Sequence, residues 1–223
     1  MLVGHVGVGL AAKAVEPRLN LGTLVAAALF LDIVFWALVL AGLETAHVPH
    51  DFAARHFLTF DFPWSHSLLM AVLWSFGFAV AWALWGSSRA RRLGAFWDGS
   101  ALLALVVFSH WLADVLVHVP EMPLIPGGVA VGLGLWQHQP LALALELLIA
   151  FVGLVALVFR TALGTGRKVV VCALTIVLAA LTGFGAYADA PPPSPAILAV
   201  SSLGIIALTI AICAWCDRVR RSI

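Results

Sequence analysis

Apolar residues run along this chain in blocks of about twenty, and short joints rich in proline, glycine or basic residues separate the blocks. A helix that crosses a bilayer needs about 20 largely apolar residues, and blocks of that kind fall at 21–42, 66–86, 96–118, 141–160, 169–188 and 196–216. The joints carry Glu16-Pro17, Pro49 and Pro63, Gly86-Ser87-Ser88, Pro120 to Gly128, Gly164-Thr165-Gly166 and Pro191-Pro192-Pro193-Ser194-Pro195, all sequences that interrupt helix. Backbone amides in lipid must be satisfied within their own segment, so the blocks predict helices and not strands. A shorter apolar stretch precedes them. Residues 2–15, with Gly4, Gly7, Ala11 and Ala14 on roughly one face, make a helix of about 20 Å, too short for the ~30 Å hydrocarbon core. The small residues permit close packing, so region 1–18 is expected to be a half-helix inserted beside the spans or lying beneath them.

Composition agrees with this pattern. Of 223 residues, 63% are hydrophobic and only 10% charged, with a mean hydropathy of +1.07; a soluble globule cannot be clothed by so little polar surface. The expected fold is an all-α polytopic membrane helix bundle, about six transmembrane helices plus the N-terminal half-helix, forming one integral membrane domain over 1–223. A net charge of +1 gives no reason to expect a nucleic-acid partner; the partner is the lipid bilayer, and the pattern says nothing of oligomeric state. No secretory signal is expected, because Lys13 follows the first apolar stretch instead of preceding it. Cys172, Cys213 and Cys216 lie in apolar blocks without a companion His or second pair and read as inert thiols.

Charge placement sets the expected orientation. Lys13, Arg18, Arg89, Arg91, Arg92, Arg160, Arg167, Lys168, Arg218, Arg220 and Arg221 fall at alternate joints, and of the 12 basic residues Arg55 alone lies in an opposite loop. Basic loops stay cytoplasmic, so both termini are expected inside, with loops 43–65, 119–140 and 189–195 outside.

Ionisable side chains at membrane depth persist mainly where they pair, bind something or line water. Here these are His5, Asp32, His66, His110, Asp114, His118 and Glu146. His110 and Asp114 are four residues apart and share a helix face, a chelating arrangement for a divalent metal of which zinc is the expected one; a self-satisfied Asp-His pair is the competing account. Counting about 1.5 Å per residue from the basic joints, His110 rises about 27 Å, Asp114 about 33 Å and His66 about 34 Å, whereas Asp32 reaches about 21 Å and His5 about 12 Å. His66, His110 and Asp114 therefore form the core of the expected group. Asp32 lies a turn lower, His5 joins only if the half-helix enters deeply, and His118 joins from the flank. The crowd of Glu44, His47, His50, Asp51, His56 and Asp61 in the first outer loop reads as an ordinary solvated loop, and Trp64, Trp111 and Trp136 as an interfacial belt.

Four short motifs in order, His5-Val6-Gly7-Val8-Gly9, Leu31-Asp32-Ile33, Ser65-His66-Ser67 and Ser109-His110-Trp111-Leu112-Ala113-Asp114, resemble the bacterial family of membrane-bound, metal-dependent hydrolases that includes LexA-regulated inner-membrane proteins. The resemblance covers roughly residues 1–118. It implies an inner-membrane location, a His/Asp metal site and hydrolysis. The chain departs from the family where P-D-x-D-H is reduced to Asp32 followed by Val34 and Phe35, where Asp61 replaces the first His and Phe62 the Arg of H-R-G-x-T-H-S, and where Val117 replaces the Thr that often follows S-H-x-x-x-D; a single metal, or a site that has lost its chemistry, is the resulting expectation. The leading functional expectation is a hydrolase of a lipid or other amphiphilic ester, amide or phosphoester, with metal ligands drawn from His5, Asp32, His66, His110 and Asp114, and with Glu146 or His118 moving a proton. Two rivals are an ion- or proton-coupled transporter using Asp32, Asp114 and Glu146, and a haem protein using two of His66, His110 and His118.

Overall fold

The computed structural model describes residues 1–85, 96–188, 190–192 and 194–218. The expected Gly86-Ser87-Ser88 joint, the cluster Arg89, Arg91 and Arg92, and Pro193, Arg220 and Arg221 lie outside the described residues.

Helices dominate. In chain order they are α1 (Leu2–Val15), α2 (Leu21–Ala28), α3 (Phe30–Leu40), α4 (Phe52–Arg55), α5 (Leu68–Trp85), α6 (Phe96–Val117), α7 (Gln139–Arg160), α8 (Thr165–Ala186) and α9 (Pro195–Cys216). Four helical segments among the described residues, Gly99–Val117, Leu135–Arg160, Thr165–Ala186 and Pro195–Cys216, are long and apolar enough to cross a membrane, and the bent pair α2–α3 would make a fifth. The block expected at 66–86 gives an apolar helix whose described part, Leu68–Leu84, extends about 26 Å, short of the hydrocarbon thickness. Large apolar side chains such as Phe76, Phe151, Phe159, Ile176, Phe184 and Leu208 are exposed along α5, α7, α8 and α9. A continuous outer coat of this kind suits lipid as the surrounding solvent. Cys172, Cys213 and Cys216 are free thiols.

The block at 21–42 is not one straight helix. It breaks at Leu29, and the two halves meet at 58°. No proline or glycine marks the break, so its cause is tertiary: in an unbroken helix the Ala28 carbonyl would accept the Asp32 amide, whereas here it receives a proton from the His110 ring, 2.7 Å away. Asn20 starts α2 as an N-cap, its side chain accepting from the Gly22 amide.

The expected half-helix is the centre of the bundle. Val3, Gly4, His5, Val6, Gly7, Gly9, Leu10, Ala12 and Lys13 are all buried, and α1 packs chiefly on α7 and α2, with further contact to α6 and α8. Glycine makes the α1–α7 approach possible. A Cβ at Gly153 would lie 2.0 Å from the Gly7 carbonyl oxygen, and one at Gly7 would lie 2.6 Å from the Ala150 Cα. Facing small residues let helix backbones touch and gain dispersion contacts where no hydrophobic drive separates helix from lipid. The Glu146 carboxylate on α7 then accepts the Val3 and Gly4 amides at 2.9 and 3.4 Å, satisfying N–H groups that a buried helix start would leave orphaned.

At the other end of α1, buried Lys13 donates to the Pro17 and Leu19 carbonyls and to Asp217 Oδ2, each within 2.7 Å. Arg167 donates to the Arg218 carbonyl and Lys168 to that of Val158. The basic joints before α2, between α7 and α8, and after α9 thus gather at one end of the bundle. At the opposite end the two longer loops fold into small antiparallel hairpins. Strands β1 (Thr45–His47) and β2 (Thr59–Asp61) pair with Ala46 opposite Phe60, and β3 (Met122–Pro123) pairs with β4 (Ala130–Val131). A turn at Ile125-Pro126-Gly127-Gly128 closes the second, with Gly127 at φ +74° where Pro-Gly supplies the required backbone.

Candidate metal centre

Four elements converge beneath the hairpins. His110 and Asp114 sit one turn apart on α6, buried to 1% exposure each. His66 lies in the turn leading into α5, held there by its amide bond to the Phe62 carbonyl and by the Trp111 indole N–H, which donates to the His66 carbonyl at 2.9 Å. Asp32 occupies the first turn of α3, and His5 the first turn and a half of α1.

Asp114 is the hub. Its Oδ2 lies 3.1 Å from His110 Nε2, 3.6 Å from His66 Nε2 and 4.0 Å from His118 Nε2. Its Oδ1 faces the other way, 3.0 Å from His5 Nε2 and 3.4 Å from the Met1 nitrogen. Asp32 Oδ1 stands 3.7 Å from His110 Nε2 and 4.0 Å from His66 Nε2. The His5 and His110 rings stack at 3.6 Å. His5, Asp32, His66, His110 and Asp114, the full set expected from the sequence, come together, and two overlapping subsets, His5–His110–Asp114 and Asp32–His66–His110, have ligand atoms close enough to share one ion. The buried His/Asp group could therefore hold a metal.

Hydrogen bonds on the far side of each ring decide what the near side presents. A carbonyl only accepts, so the Ala28 oxygen 2.7 Å from His110 Nδ1 fixes the proton on Nδ1. Ser65 Oγ is 2.7 Å from His66 Nδ1 and donates its own proton to Glu44 Oε2 at 2.7 Å, so it accepts from His66. The Glu121 carboxylate accepts from His118 Nδ1 at 2.7 Å. All three rings consequently turn Nε2 lone pairs inward. His66 Nε2 and His110 Nε2 then face each other across 3.3 Å with two carboxylates beside them. Acceptors crowded against acceptors repel unless a proton or a cation lies among them.

A cavity of about 200 Å³ opens onto the cluster, with Asp32, His66, Asp114 and His118 on its floor and aromatic walls that include Phe35, Trp36, Phe60, Phe62 and Trp136. Trp136 lies 4.1 Å from the His118 ring, centre to centre. The interfacial belt expected for Trp136 is thus also a cavity wall.

No family model, curated protein or solved structure matches this chain.

Two expected participants take different positions. His118 reaches the cavity and pairs with Glu121, whereas Glu146 is outside the cavity lining and caps α1. Two residues are part of the site's support: Glu44, which the sequence placed in a solvated loop, and Glu121, which the sequence reading did not single out. Glu44, 3% exposed, accepts the Trp64 and Ser65 amides on Oε1 and the Ser65 hydroxyl on Oε2; burial pushes its carboxyl above the ordinary carboxylate value against the pull of those donors. Glu121 joins His118 to the hairpin by also accepting the Phe60 amide at 2.9 Å. The i,i+3 spacing of His118 and Glu121 was a usable signal; nothing in the sequence ties Glu44 to Ser65, 21 residues on.

Proposed function

We propose that this chain is a membrane-embedded, metal-dependent hydrolase of the bacterial inner membrane that holds one divalent ion, zinc, between His66, His110 and Asp114. The carrying observation is the spacing of three acceptors. His66 Nε2, His110 Nε2 and Asp114 Oδ2 are separated by 3.3, 3.1 and 3.6 Å, and the edge of a tetrahedron around zinc with bonds of about 2.0–2.1 Å is about 3.3–3.4 Å. Asp32 Oδ1, 3.7 and 4.0 Å from the two ring nitrogens, would complete or orient the shell. His5 orients Asp114 through its second oxygen. The motif resemblance supports the same reading.

The ion, when bound, supplies Lewis acidity that activates water and polarises a carbonyl. The residues supply the rest. Asp32 accepts a hydrogen bond from the attacking water and aligns it. His118, held by Glu121, takes up and returns a proton at Nε2. The aromatic walls exclude bulk water and bind the apolar part of an amphiphile at the outer end of the bundle. The substrate is an ester, amide or phosphoester of such an amphiphile.

Both rivals are less well supported. One to two turns from the site toward the basic end, Val6, Leu10, Leu24 and Leu103 are fully or almost fully buried and apolar, poor material for an ion path. A porphyrin has no room between nitrogens 3.3 Å apart in a cavity of about 200 Å³. Elemental analysis of purified protein tests the proposal: about one zinc per chain is expected, falling to background in His110→Ala. Equal metal content in the two proteins overturns it.

A further inference from the structure

Four imidazoles, those of His5, His66, His110 and His118, surround the site, and the atoms that hold two of them come from the outer loops instead of the membrane helices. The chain His66 Nδ1–Ser65 Oγ–Glu44 Oε2 has two links of 2.7 Å each and is buried throughout, with Ser65 fully so and Glu44 nearly so. The second chain is the single link from His118 Nδ1 to Glu121 Oε1 at 2.7 Å. Each carboxylate has its remaining oxygen anchored on backbone amides, Trp64 and Ser65 for Glu44, Phe60 for Glu121. Neither can swing away without leaving buried N–H groups unpaired.

We propose that Glu44, acting through the Ser65 hydroxyl, and Glu121, acting directly, are positioning residues that hold His66 and His118 in the Nδ1–H form and so keep both Nε2 lone pairs aimed at the metal centre. This rests on the metal-centre reading above. An imidazole free to choose would place its proton on whichever nitrogen finds an acceptor. Nε2 of His66 has Asp114 Oδ2 at 3.6 Å and Asp32 Oδ1 at 4.0 Å, so without Ser65 the proton would move inward and block the ligand position. Partners of this kind also raise ligand basicity, and their loss typically weakens metal binding about 10–100-fold.

Ser65→Ala is the discriminating variant, because it removes the link to His66 while both backbone amides can still reach Glu44. Histidine ring 15N spectra of the metal-free, full-length protein in detergent read the tautomer directly, a property that a merely structural role for Ser65 would leave unmoved. Wild type is expected to show His66 with its proton on Nδ1, and Ser65→Ala to move it toward Nε2. Cobalt(II) titration of the same samples should give affinity about 10–100-fold weaker in Ser65→Ala. For Glu121 the ring spectra are the readout: the His118 proton should move from Nδ1 toward Nε2 in Glu121→Ala and stay on Nδ1 in Glu121→Gln, which keeps an acceptor oxygen. Unchanged tautomer and unchanged cobalt affinity in Ser65→Ala would overturn the proposal while leaving the metal centre standing. Should wild type itself bind no cobalt, the metal-centre reading fails, and the ring spectra still decide: His66 already in the Nε2–H form overturns the positioning role as well.

Discussion

Asp114 contacts more of the site than any side chain around it. Its two oxygens reach His5, His66, His110 and, more distantly, His118. Asp114→Ala should therefore abolish metal binding and lower the thermal midpoint, because several buried imidazoles lose their partner together. Asp32→Ala, at a side chain 21% exposed, should weaken metal binding with little change in the midpoint. Calorimetric titration with zinc beside thermal unfolding checks both. Protons and metal compete for the imidazole nitrogens, so zinc uptake should decline steadily as pH is lowered; uptake independent of pH would exclude histidine ligation. At this scale much was legible beforehand. The spacing of His110 and Asp114 and the depths of His66 and His110 are direct readings of helical rise. Glu44 was not legible, because a carboxylate in a polar loop looks solvated until the hairpin closes over it.

Among the elements, α1 determines whether His5 reaches the site at all. Its place depends on the Gly7–Gly153 contact, where a single methyl has no room. Gly153→Ala should destabilise the fold by about 1–3 kcal/mol or force α1 outward, and either outcome should reduce zinc affinity although Gly153 touches no ligand. An unaltered affinity and midpoint would show that α1 is not held there. The turn after α1 carries a pH-dependent contact. Arg18 hydrogen-bonds the Glu16 carboxyl and holds it below the ordinary value of 4.5. The unfolded chain protonates first on acidification, so this contact stabilises fully above the ordinary value and is lost as pH falls through the lowered one. Unfolding midpoints measured from pH 6 downward, in steps of about half a unit, should fall more steeply in wild type than in Glu16→Gln. The sequence signalled that residues 2–15 would pack closely through small residues, and it left open whether they entered the bundle or lay beneath it. It did not signal the break at Leu29, because the Ala28 carbonyl is diverted by a ring 82 residues away.

For the whole molecule, the clustering of Lys13, Arg167, Lys168 and Arg218 at one end gives the bundle its polarity. If basic ends remain inside, the hairpins and the cavity mouth face the outer side. Single cysteines placed at His50 and at Arg160 in a background with Cys172, Cys213 and Cys216 replaced should then label from opposite faces of intact cells and inverted vesicles. Labelling of both from the same face would contradict a single transverse orientation. The count of spans was only partly legible. Hydropathy measures composition over a window, and the bend between α2 and α3 does not change composition.

The contact between Gly7 and Gly153 also sets an order of events during biosynthesis. The two residues lie 146 positions apart in the sequence. At about 5–20 residues per second, roughly 10–30 s of translation separate them. His5 is made first and must wait, with its helix lacking its principal neighbour, until α7 is inserted. His5 can therefore be seated beside Asp114 only after most of the bundle is in the bilayer, and ribosome-bound chains shorter than α7 should carry α1 without its principal neighbour.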